Sequence, residues 1–136
     1  MTSGYSGKPL EQKLGLKTGQ KAYIHKSPKK YSTFLNSVPD GLTWLKYDDD
    51  ESADFIHFFA NERIILEAEI PFLKNKLRKS GMLWISWPKK SSKLFIDITE
   101  DTLREILLPI GLVDIKVCAV NQDWSGLKFM WRKELR

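Results

Sequence analysis

Cysteine is nearly absent from this chain of 136 residues. Cys118 stands alone, so no disulfide can close within the chain and no Cys-x-x-Cys pair offers a zinc site. Histidine is as scarce, with only His25 and His57 and no His-x-x-x-His spacing, so no metal is expected. No run of about 18 apolar residues is present to span a bilayer, and the start, MTSGYSGKPLEQK, lacks an apolar stretch behind a basic one. Neither export nor membrane insertion is expected, and the chain reads as cytoplasmic. Catalytic signatures are missing too. Gly4-Tyr5-Ser6-Gly7 lacks the spacing of a nucleophile elbow and follows no strand, and there is no Walker loop, EF-hand or helix of paired carboxylates. Cys118, in Lys-Val-Cys-Ala-Val, reads as a small core residue, and each histidine as a satisfied strand residue. No catalytic residue is assigned.

What is present is a composition able to fold unaided. Hydrophobic residues make up 42% of the chain, enough at this length for one core. The formal charge of +5 favours encounters with anionic partners. No repeat, low-complexity tract or Gly/Ser-rich linker divides the chain, so 1–136 reads as one domain. Residues 1–18 form an N-terminal strap with a short helix, Leu10 to Leu14, that Gly15 would end in a left-handed cap.

The periodicity predicts an α/β protein. A first strand spans Gln20 to His25 and stops at Ser27-Pro28, a helix is expected over Lys29 to Asn36, and a second strand over Leu42 to Tyr47 follows the turn Val38-Pro39-Asp40-Gly41. Ala53 to Ala60 is almost continuously apolar, as in a parallel strand covered on both faces. A helix over Glu62 to Lys79, kinked or restarted at Pro71, would end at Gly81, and Met82 to Trp87 is a fourth buried strand before the loop Lys89 to Lys93. Thr99 is a good N-cap for a helix with Ile98 and Leu103 as its staple. Asp114 to Val120 and Leu127 to Arg132 close the chain as a hairpin around Asn121 to Gly126, with Lys116 facing outward beside Lys128. The expectation is a three-layer Rossmann-like sheet of about six strands, mostly parallel and ending in an antiparallel hairpin.

Three segments carry a resemblance. GYSGKPLEQKLG, GMLWISWPKK and GLVDIKVCAVNQDWSGLKF together resemble a bacterial family of short proteins known only as a domain of unknown function. The succession of helix, Ser80-Gly81, strand, helix, Gly111-Leu112 and hairpin is similar to the C-terminal half of S-adenosylmethionine-dependent methyltransferases. That likeness implies their strand order less one edge strand, and S-adenosylmethionine as a candidate cofactor. The chain departs from that pattern after the first strand, where His25-Lys26-Ser27-Pro28-Lys29-Lys30-Tyr31 holds no glycine. Asp48 to Glu51 could replace the ribose-binding carboxylate, or be a solvated loop.

In an open α/β sheet, ligands bind beyond the carboxyl ends of the strands. The candidate ligand residues there are Lys26, Ser27 and Lys29 after the first strand, Lys89 and Lys90 after the fourth, and Asp123, Trp124 and Ser125 in the hairpin loop, although Trp124 could instead lie back on the core. With neither a cofactor loop nor a catalytic constellation, the sequence favours a non-catalytic module binding an anionic small molecule or a protein partner at this edge. The alternatives are a divergent methyltransferase and, drawing on aromatic rings beside lysines, a nucleic-acid-binding protein.

Overall fold

The computed structural model describes residues 7–92 and 96–136. Gly4, Tyr5 and Ser6 of the N-terminal strap and Lys93 of the lysine loop lie outside the described residues. The elements are α1 (Leu10–Leu14), β1 (Lys21–His25), β2 (Thr43–Trp44), β3 (Ala53–Phe59), α2 (Arg63–Lys76), β4 (Leu77–Pro88), α3 (Glu100–Leu107), β5 (Leu112–Ala119) and β6 (Trp124–Trp131). They build one six-stranded sheet in the order β2-β1-β3-β4-β6-β5. The neighbours from β2 to β4 are parallel, and β6 runs antiparallel to both β4 and β5. This is the mixed α/β architecture expected, with its antiparallel strands at one end. The chain leaves β1 for β2 on one side and then crosses to β3 on the other. The strand order therefore switches between β1 and β3, at their carboxyl ends.

Burial on both faces explains the apolar run in β3. Ile56 and Phe58 enter the cluster with Leu66, Ile70 and Leu73 of α2 and Leu103 and Leu107 of α3, whereas Phe55 and Phe59 face Leu10, Leu14 and Tyr31 across the sheet. The α2/α3 layer is the thicker one. Among the described residues, the opposite layer consists of α1 and a 3-10 turn, Tyr31–Phe34, where a helix over Lys29 to Asn36 was expected. Tyr31 and Phe34 turn inward there, with Tyr31 buried and Phe34 stacked on Phe59 at 5.2 Å. Tertiary packing of these rings, just after Pro28, outweighs helix propensity.

The α2–β4 junction also departs from the expectation. α2 runs through Pro71 at an exposed position and stops at Lys76, and Arg78 to Gly81 already belong to β4. Leu77 pairs with Ala53, and Arg78 reaches Asp54 at 2.8 Å, so the segment adds to the sheet instead of extending the helix. Gly81 is needed there for close approach rather than as a helix stop. A Cβ would stand 3.0 Å from the carbonyl oxygens of Ala53 and Asp54.

α3 forms as its cap predicts. The Thr99 hydroxyl accepts from the Thr102 N–H at 3.3 Å, the Thr102 hydroxyl accepts from the Thr99 N–H at 3.1 Å, and Ile98 and Leu103 are both buried. Thr99→Ala removes that cap and is expected to lower stability by about 1 kcal/mol in urea denaturation. The hairpin begins earlier on its second strand than expected. Trp124, Ser125 and Gly126 belong to β6, because Asn121 Oδ1 accepts from the Asp123 and Trp124 N–H groups and closes the loop before them. Lys116 faces Lys128 directly, as predicted.

Candidate functional site at the carboxyl edge of the sheet

The carboxyl ends of β1, β2, β3 and β4 line one edge, with the switch between β1 and β3 at its centre. After β1, Lys26 takes a left-handed backbone at φ 56°, the only positive φ of a non-glycine residue among those described. A glycine ordinarily supplies that geometry. Ser27 Oγ donates to the Lys29 carbonyl at 2.5 Å, and Lys29 Nζ lies 4.6 Å over the ring of Phe34. Trp44, the last residue of β2, and Tyr47 beyond it are 44% and 64% exposed, an unusual presentation of two large rings. The acidic run behind them is partly committed: Asp49 accepts from the Lys46 N–H at 2.6 Å, and Glu51 pairs with Lys21 at 3.1 Å. Asp48 and Asp50 remain exposed at its surface.

Each histidine occupies a different face of the sheet, bonded at both ring nitrogens. His25, at the end of β1 on the α2 side, meets the Tyr23 hydroxyl at Nδ1 (2.7 Å) and Glu69 at Nε2 (2.5 Å). A carboxylate oxygen can only accept, so Nε2 donates to Glu69, while the Tyr23 hydroxyl is able to donate to Nδ1 or accept from it. Burial, with Tyr47 and Glu69 nearby, pushes the Tyr23 phenol up to about 12, so it keeps its proton. Tyr47 and Phe72 stack at 4.7 Å, and both rings lie beside His25. On the other face, His57 is fully buried between the Tyr31 hydroxyl at Nδ1 and Ser86 Oγ at Nε2, each at 2.7 Å. Burial lowers its pKa to about 3 and raises that of Tyr31, so both stay neutral.

A groove of about 710 Å³ opens beside the ends of β4 and β6. Trp87 and Ile98 form an apolar floor, Lys89, Lys90 and Ser125 stand at the strand ends, and Arg104 stands on α3. Arg104 is held in its charged form by Asp114, Glu100 and Asp101, at 3.0, 2.9 and 3.0 Å. The Lys89 N–H donates to the Asp123 carbonyl at 2.7 Å, which ties the lysine loop to the hairpin.

The structure thus gathers Lys89, Lys90 and Ser125 in one groove and leaves Lys26, Ser27 and Lys29 two strands away, beyond β3. Asp123 enters through its backbone. Trp124 turns to the other face and packs edge-on against Phe59 at 5.3 Å, so its place is in the core. Glu69 and Arg104 were not singled out from the sequence. The Glu100–Arg104 and Asp101–Arg104 spacings of four and three carried a helical signal, whereas Glu69 meets His25 across 44 positions with no local cue. Among the described residues no group of three His, Cys, Asp or Glu side chains could hold a metal ion, and no helix is long and apolar enough to cross a membrane.

The architecture is methyltransferase-like. The chain is similar to the DhpI–SAH complex structure (13% identity, 90% of this chain and 81% of that one, TM-score 0.59). It is equally similar to a SAM-dependent methyltransferase from Aquifex aeolicus (13% identity, 88% and 86%, TM-score 0.59). A third likeness is to a ribosomal protein L11 methylase from Lactobacillus delbrueckii subsp. bulgaricus (14% identity, 90% and 74%, TM-score 0.55). No family profile and no curated protein sequence matches the chain. These likenesses overturn the expectation of a non-catalytic binding module and favour the methyltransferase alternative. A missing glycine turn had weighed against that alternative, yet the sheet follows these enzymes over about nine-tenths of the chain.

Proposed function

We propose that the chain is a divergent S-adenosylmethionine-dependent methyltransferase that holds its cofactor at the ends of β1, β2 and β3 and its methyl acceptor in the groove beside β4. The observation that carries this reading is the strand order, with its switch between β1 and β3 at the edge where open α/β sheets take their ligands. The donor set fits an adenosyl group. Tyr47 offers an exposed ring for an adenine to stack on, Asp48 offers a carboxylate to ribose hydroxyls, and the left-handed turn at Lys26 brings backbone to the strand end. Pro28 has no N–H to offer, and Tyr31 fills space beside β1, so the grip is expected to be weak.

Bound there, the cofactor supplies a methyl group activated on a sulfonium. The chain's own residues orient and shield. Trp87 and Ile98 keep water from the groove floor, while Lys89, Lys90 and Ser125 on one side and Asp97 on the other offer hydrogen-bond partners to an acceptor. Lys26, Ser27 and Lys29 form the wall on the cofactor side. The three shared segments support a place within the short bacterial family, with residues 1–136 as one domain, and we place the protein in the cytoplasm.

Titration with S-adenosylhomocysteine, followed by tryptophan fluorescence and melting temperature, tests the reading. A saturable rise in melting temperature is expected, since a ligand that binds only the folded state stabilises it. Tyr47→Ala and Asp48→Asn should each weaken the apparent affinity about tenfold, as loss of one stacking or charge-assisted contact would. No shift at millimolar ligand would sink the proposal.

A further inference from the structure

A separate cationic site lies on the sheet face opposite α2 and α3. Lys128 of β6 neighbours Trp84 of β4 and is the direct cross-strand partner of Lys116 of β5. Trp84 packs toward α1, so both lysines and Cys118, two residues beyond Lys116, share the α1 face. Between α1 and β5 is a depression of about 300 Å³, whose lining includes Lys8, Lys13 and Lys116, with Gln12 and Cys118. No acidic side chain among the described residues belongs to that lining. The acids nearest in sequence are engaged elsewhere. Glu11 accepts from the N–H groups of Asn36 and Ser37 at 2.9 and 3.1 Å, and Asp114 pairs with Arg104 at 3.0 Å.

Like charges directly opposite across an antiparallel pair are destabilising. Here partial burial lowers the Lys128 pKa, and the repulsion from Lys116 adds to it. Neither cation is required by the packing, since Lys116 is exposed and Lys128 only half-buried. Natural proteins break such local rules chiefly at functional or strained sites.

We infer that this depression is an anion site that takes a phosphate group, carried by a free phosphorylated molecule or by a nucleic-acid backbone. The lysines act as point charges on flexible stems, suited to a phosphate's spherical charge rather than to bidentate recognition. The site faces away from the groove beside β4 and stands independently of the cofactor reading.

The test compares the wild-type chain with Lys116→Gln and Lys8→Gln, both in the lining of the depression, using Lys133→Gln as a control for charge loss elsewhere. Without added anion, Lys116→Gln should melt at or above the wild-type temperature, because the opposed charge is gone. With millimolar inorganic pyrophosphate, the wild type and Lys133→Gln should gain several degrees while the two site variants gain little. If nucleic acid is the source, a short single-stranded RNA should bind and be displaced by pyrophosphate. Its salt slope should shrink by about 0.7 in Lys116→Gln, the share of one phosphate contact on a single strand. If pyrophosphate alone shifts the protein, a free phosphorylated molecule is the source. The inference is overturned if neither probe shifts the wild type, or if the shifts survive in both site variants.

Discussion

Trp84→Ala should cost about 3–5 kcal/mol of stability, the usual penalty for removing a large buried ring. Against a total of about 5–15 kcal/mol for a domain, this is a large fraction, and the melting temperature should fall by roughly 10 °C or more. Trp84 is fully buried at the centre of β4, and its indole Nε1–H donates to the carbonyl of Leu14 at 2.8 Å. That one side chain both fills the core of the thinner layer and fastens α1 to the sheet. Trp84→Phe separates the two roles. It keeps most of the apolar burial but leaves the Leu14 carbonyl without its donor, for an expected loss of about 1–3 kcal/mol. Urea denaturation of the two variants checks this. A Trp84→Ala penalty no larger than that of an exposed substitution would contradict the anchoring role.

Acid should unfold the protein through His57. Its folded pKa is lowered to about 3 from an unfolded value of 6.5. Above pH 6.5 the ring is neutral in both states and folding carries no penalty from it. As pH falls below 6.5, the unfolded chain takes up a proton that the folded ring refuses, so stability declines until pH approaches 3. The linkage slope reaches about 1.4 kcal/mol per pH unit, which amounts to ~2 kcal/mol lost at pH 5. His57→Gln can span the Tyr31 and Ser86 hydroxyls without titrating. Its melting temperature should depend less on pH between 7 and 5 than that of the wild type, by roughly 6 °C. Parallel curves for the two proteins would show that His57 does not govern this window.

The parts legible in the sequence are those whose cause is local or periodic. β3 declares itself by burial on both faces, and α3 by Thr99 with its Ile98–Leu103 staple. Distant partners hid the rest. Arg78 to Gly81 read as the end of a helix and its stop, but the edge of β3 claims them. Ser125 and Trp124 read as loop, but pairing with Trp87 and Pro88 makes them strand and turns their side chains to opposite faces. That alternation placed Ser125 beside Lys89 and Lys90 and withdrew Trp124 into the core. The β1 turn offered no glycine, since Lys26 bears the left-handed backbone instead. Function was least legible for the same reason. The strand order is a property of the whole sheet, and no single motif announces it.

The two margins of the sheet are guarded in different ways against recruiting a foreign strand. β2 is only two residues long, Thr43 and Trp44, and offers almost no ladder to extend. β5 is eight residues long and carries exposed Ile115 and Val117, a more inviting margin, but its pairing register slips between Asp114 and Lys116. Such a bulge twists an edge out of register, and a charged residue at the slip opposes stacking of a second copy. Lys116 would thus also act as a gatekeeper against amyloid-like polymerisation, so neutralising it should favour fibril growth in concentrated solution even where the monomer itself becomes more stable.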